Sequence, residues 1–110
     1  MIANTTIQYK INQKINYKLL EGIVEQMKVM AHPVRLAIVI ILAVNKKMTV
    51  SQIYDELGIQ QSVASNHLKL MKTHNLLISR RQGKYIYYSV NAGTLRKLYS
   101  TMKVDFYVNE

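Results

Sequence analysis

Short polar side chains that can read a base edge, Gln61, Ser62, Ser65 and Asn66, open one helical stretch of this chain. Gln and Asn pair bidentately with adenine, and Ser can donate to or accept from several base groups. Lys69, one turn further on, suits a phosphate contact, which positions a protein on a duplex without specifying sequence. Arg80, Arg81 and Lys84 cluster around Gln82-Gly83-Lys84; Gln60 at the head of the helix and Tyr85 beside the turn complete the candidate set. Between Glu56 and Asp105 there is no Asp or Glu, while Lys69, Lys72, Arg80, Arg81, Lys84, Arg96, Lys97 and Lys103 all fall there. Such a stretch suits a large polyanion better than a small substrate. Each part has a plainer reading, the first as a solvated helix face and the second as a charged edge that blunts strand pairing. Their occurrence together favours nucleic acid.

The elements that position these residues follow from local pattern. Thr49-Val50-Ser51-Gln52 has the form of a capping box. Val50, Ile53, Tyr54 and Leu57 make the inner face of a short helix, and Gly58 stops it. The next helix runs from Gln60 or Gln61 to His74, with Ala64, His67, Leu68 and Met71 turned inward. This is a helix-turn-helix, in which the first helix braces the second against the major groove. Leu76-Leu77-Ile78 returns to the core. Ser79–Gln82 and Lys84–Val90 form a hairpin around Gly83. Ile86, Tyr88 and Val90 pack on one face, with Tyr85, Tyr87 and Ser89 on the wet one.

Upstream, Ile11, Ile15, Leu19, Ile23, Met27 and Met30 recur at helical spacing, flanked by Leu20 and Val24. That stripe serves the core, a partner subunit, or both. Pro33 suits the first position of a second helix, with His32 as a cap. Leu36–Val44 is apolar nearly all round, which predicts a central helix, and Lys46 and Lys47 complement its C-terminal dipole. A last helix carries Leu95, Leu98, Tyr99, Met102 and Phe106. Residues 1–10 read as a frayed polar segment and 11–107 as one domain. The fold class is mostly α (α+β), about five helices with a two-stranded β-hairpin.

Composition narrows the function. The formal charge of +9, from 15 Lys and Arg against 6 Asp and Glu, favours an acidic partner. With no cysteine, disulfides, thiolate metal sites and thiol redox sensing are excluded. The N-terminus lacks a signal-peptide pattern, and Leu36–Val44 is far short of the ~20 apolar residues that span a bilayer. A cytoplasmic location fits. Scattered carboxylates and glycines that form no phosphate loop argue against an enzyme.

The order helix, helix-turn-helix, hairpin, helix resembles the ArsR/SmtB family of winged-helix repressors. The resemblance rests on Met30-Ala31-His32-Pro33-Val34-Arg35-Leu36, on Ser65-Asn66-His67-Leu68-Lys69-Leu70-Met71 and on Arg81-Gln82-Gly83-Lys84-Tyr85-Ile86-Tyr87-Tyr88, and covers roughly Leu20 to Met102. It implies a sequence-specific regulator of double-stranded DNA: a homodimer on a near-palindromic operator, its two reading helices about 34 Å apart. It implies pairing through the terminal helices, with Ile15, Leu19, Ile23, Leu95, Leu98, Tyr99, Met102 and Phe106 at the interface, and a packed His67.

The departures concern metal. Where the family places two cysteines, this chain has Thr49 and Ser51, neither a soft ligand. The family's other site draws on the last helix, which here opens with Ala92, Gly93 and Leu95 and closes with Met102, Lys103 and Val104; no His follows His74. The expectation is no metal and no cofactor, with His32, His67 and His74 on separate elements. Other readings are an architectural or non-specific nucleic-acid binder, and a single-strand binder that stacks bases on Tyr85 and Tyr87.

Overall fold

A computed structural model describes residues 15–103. The elements are α1 (Tyr17–Met30), α2 (Pro33–Asn45), β1 (Met48–Thr49), α3 (Val50–Leu57), α4 (Gln61–Thr73), β2 (Leu77–Gln82), β3 (Tyr85–Val90) and α5 (Ala92–Lys103). Asn16 caps α1 by accepting the Leu19 N–H at 3.1 Å, so Ile15 precedes the helix instead of lying on its stripe. Ile11 is outside the described residues.

The break between α1 and α2 is built by the Met30–Leu36 motif. His32 caps α2, its Nδ1 accepting the Val34 N–H at 3.1 Å, and Pro33 fills the first position. Arg35 Nε then donates to the Val29 carbonyl at 2.6 Å, fastening α2 back onto the end of α1. The two helices meet at 92°, and no single helix among the described residues is long and apolar enough to cross a membrane.

The capping box forms as expected. Thr49 Oγ1 accepts the Gln52 N–H while Gln52 Oε1 accepts the Thr49 N–H at 2.9 Å. Gly58 ends α3 at φ 66°, a left-handed conformation that a side chain would disfavour. Asn75, at φ 62°, ends the α4 segment in the same region.

The hairpin turn is Gly83-Lys84, with Gly83 at φ 64°. Positive φ at the first of two loop residues matches a type II′ turn. The hairpin is not alone: β1 pairs antiparallel with β3, giving a three-stranded sheet in the order β1-β3-β2. Met48 lies opposite Tyr88 and Thr49 opposite Tyr87.

The core is formed by Ile38, Leu42, Ile53, Leu68, Met71, Leu76 and Leu77, with Ile23, Val29, Met48 and Leu98 around them. It sits where α2 meets α1, α3, α4 and β3. Two expectations fail here. Helix α2 is not covered on all sides: Ile38 and Leu42 are buried, but Leu36, Ile40 and Val44 are 49, 55 and 74% exposed within the single chain. One small domain supplies neighbours for only one side of it. Ile86, expected to pack, is 43% exposed, because the hairpin tip projects past the core.

Candidate nucleic-acid interface

Helix α4 carries the base-reading candidates. Ala64, Leu68 and Met71 are buried, which turns Gln61, Ser62, Ser65, Asn66 and Lys69 outward, all exposed. At about 100° per residue, Ser62, Asn66 and Lys69 fall within about 60° of one another on the outer face. Gln60 is the N-cap, and no side chain accepts a hydrogen bond from the first turn. The free N–H groups and positive dipole end of α4 therefore face outward at the point where an anion is best held.

The hairpin stands beside this helix and is joined to it. Lys72 Nζ, near the end of α4, donates to Ser79 Oγ at 2.6 Å. Lys47 Nζ donates to Gln82 Oε1 at 2.8 Å and lies 4.9 Å from the centre of the Tyr87 ring. This corrects the expectation for Lys47: it braces the hairpin rather than the end of α2, where Lys46 is the cap residue. Neither contact was foreseen. Lys72 and Ser79 are only seven residues apart but lie on different elements, and Lys47 and Gln82 are 35 residues apart.

The strand register separates the two wing arginines. Arg80 is opposite Tyr87 and Arg81 opposite Ile86. Alternation along a strand therefore sends them to opposite faces of the hairpin. Arg80 shares its face with Gln82, Tyr85 and Tyr87; Arg81 shares the core-side face with Ser79, the residue that touches α4. Arg80, Arg81, Lys84 and Tyr85 are all exposed. Lys84 Nζ lies 5.3 Å from the Tyr85 ring centre, and Tyr85 meets Tyr87 edge-on at 6.4 Å. The rings thus engage each other and two cations, while Tyr85 stays 50% exposed. Among the described residues the ion pair is Lys28–Glu25, on α1, so no carboxylate forms an ion pair with the cations of α4 or the hairpin.

The histidines occupy separate elements, as the sequence predicts. His32 and His67 nonetheless meet in space, with ring centres 4.9 Å apart. Burial, reinforced by the nearby charges of His32 and Arg35, holds the His67 imidazole below its ordinary pKa. His74 stands apart, its Nδ1 3.0 Å from the Leu70 carbonyl oxygen and its own carbonyl accepting from Gln26 Nε2. Among the described residues no group of three or more His, Cys, Asp or Glu is placed to hold a metal ion. Thr49 Oγ1 lies 3.2 Å from Ser51 Oγ and is occupied as a helix cap.

Of the interface candidates, Ile15, Leu19 and Tyr99 are exposed, and Leu95 packs at the edge of the core. Ile23 and Leu98 are already buried within the chain. The Met102 side chain and Phe106 lie outside the described residues.

Comparison with known proteins places this geometry. A family model described as a helix-turn-helix domain matches residues 30–80. The transcriptional repressor PagR of Bacillus anthracis is 44% identical over 81 residues, which is 74% of this chain and 81% of that protein. Its crystal structure superposes with a TM-score of 0.68 at 39% identity, covering 80% of this chain and all of that one. The arsenical resistance operon repressor of Escherichia coli is 31% identical over 68 residues, 62% of this chain and 58% of that protein. A homodimeric winged helix-turn-helix DNA-binding domain from Mycobacterium bovis, solved in solution, has a TM-score of 0.68 at 26% identity, covering 84% of this chain and 86% of that one.

Proposed function

The chain belongs to the ArsR/SmtB family of winged helix-turn-helix transcriptional regulators, and on that footing we propose that it is a homodimeric repressor that binds a near-palindromic operator in double-stranded DNA. The observation that carries this reading is the union of reader and wing in one acid-free surface: the exposed face of α4 is tied through Lys72 and Ser79 to a hairpin bearing Arg80, Arg81 and Lys84. Gln61, Ser62, Ser65 and Asn66 read base edges; Lys69, Arg80, Arg81 and Lys84 hold phosphates, with Gln60 and Tyr85 at the margins.

Dimerisation is supported by apolar surface left on α1, where Leu19, Leu20, Val24 and Met27 are exposed, and by the homodimeric state of the Mycobacterium bovis relative. Two protomers would set their α4 helices one duplex turn apart. The regulator does not sense metal through the family's known sites, since Thr49 and Ser51 offer hard hydroxyl oxygens, and that of Thr49 serves the cap of α3. It would act in the cytoplasm.

Selection of bound duplexes from a random pool, at stated salt, tests the proposal. The expected result is a near-palindrome bound at least about 10³-fold more tightly than unrelated DNA. A flat ratio would instead mark an architectural DNA-binding protein.

A further inference from the structure

Val63 sits in the first turn of α4 between Ser62 and the fully buried Ala64, yet the residue is itself 39% exposed. Its position is not explained by the core. Nor is it explained by helix propensity, because a β-branched residue is a poorer helix former than Ala at an exposed site. At about 100° per residue it lies about 60° beyond Asn66, on the side of the reading face opposite Lys72. Lys72 marks the flank that carries the wing, through its bond to Ser79. Val63 marks the other flank, in line with His67 and Leu70, where α4 approaches His32. The outer surface of α4 is therefore ordered across its width: basic toward the wing, polar in the centre, apolar at Val63.

The major groove offers one apolar group to such a residue, the C5-methyl of thymine. We propose that Val63 is a specificity residue that packs on a thymine methyl, so that each half-site requires a thymine at the edge of the α4 footprint away from the wing. This rests on the operator-binding function proposed above. Removing the contact is worth about one buried methyl group, or about fourfold in affinity per half-site.

The test replaces each operator thymine in turn by deoxyuridine, which keeps every hydrogen-bonding group and lacks only the methyl. One symmetry-related pair of thymines is expected to weaken binding of the natural protein by about fourfold per half-site when demethylated. Val63→Ala should bind the thymine operator with that same loss and show no further response to deoxyuridine at that pair. Two results overturn the proposal: no thymine methyl affects the natural protein, or the same methyl matters equally to Val63→Ala. Absence of any preferred operator is a different failure, seen already in the selection, and counts against the function itself.

Discussion

Replacing Arg80 and Arg81 by alanine, singly and together, tests how the wing meets DNA. The register sends these side chains to opposite faces of the hairpin, which fits a tip entering a groove edgewise with one arginine toward each phosphate wall. Counterion release gives the magnitude. With Lys69, Arg80, Arg81 and Lys84 each neutralising one phosphate, a dimer makes about eight contacts, and log K falls against log salt with a slope of about −7. Either single alanine removes about two contacts and brings the slope to about −5.4; the double variant brings it to about −3.6. Between 50 and 200 mM salt the natural protein should lose about 10⁴-fold in affinity and the double variant only about 10²-fold. Fluorescence anisotropy with a labelled duplex over a salt series measures this. Operator and unrelated duplexes should weaken together, because phosphates carry no sequence. If one arginine is silent, the wing lies flat on a single face, and the edgewise geometry is wrong. If the operator alone suffers, the wing is reading bases.

Asn66→Ala should reduce operator preference by about 5- to 150-fold, the value of a good base contact, while leaving the dimer intact; an unchanged preference in a competition assay would remove α4 as the reader. Thr49→Ala should cost about 1 kcal/mol in chemical denaturation by opening the capping box, and a cost near zero would mean that Gln52 does not depend on it. Leu19→Glu should shift sedimentation toward monomer, and a dimer of undiminished affinity would exclude this face of α1 from the interface. Because His67 holds its proton less tightly when folded, the unfolded chain binds more protons as acid is added. The stability this group contributes is complete above about pH 6.5 and is lost as pH falls through the lower folded-state value. Urea midpoints from pH 8 to pH 5 should therefore fall more for the natural protein than for His67→Gln, and parallel curves would contradict the assignment.

Features set by neighbouring residues were legible in the sequence. The Thr49–Gln52 box, the Gly58 stop, the Pro33 start and the His32 cap each need only a few adjacent positions, and each forms. Features that require distant partners were not. Strand β1 is two residues long and exists because Met48 and Thr49 find Tyr88 and Tyr87; its local pattern has no strand signal of useful length. The meeting of His32 with His67 depends on how α2 crosses α4, which periodicity does not report. The same limit explains α2, where an apolar composition indicated burial but could not say that Leu36, Ile40 and Val44 would find no cover in one chain. Within the interface, the polar residues of α4 were legible as chemistry. The role proposed for Val63 is not legible as chemistry because the side chain is apolar; its absence from the inward stripe of Ala64, His67, Leu68 and Met71 is the signal the sequence offers.

The pairing of β1 with β3 has a mechanical result. Thr49 is at once the last residue of a strand and the cap of α3, so the central strand of the wing is riveted to the root of the bracing helix. Lys72 and Ser79 add a second rivet from the far side. A wing held at both margins cannot swing away without breaking strand pairing. Reader and wing are therefore coupled at both margins, and in the proposed dimer the joint between protomers would be left as the hinge.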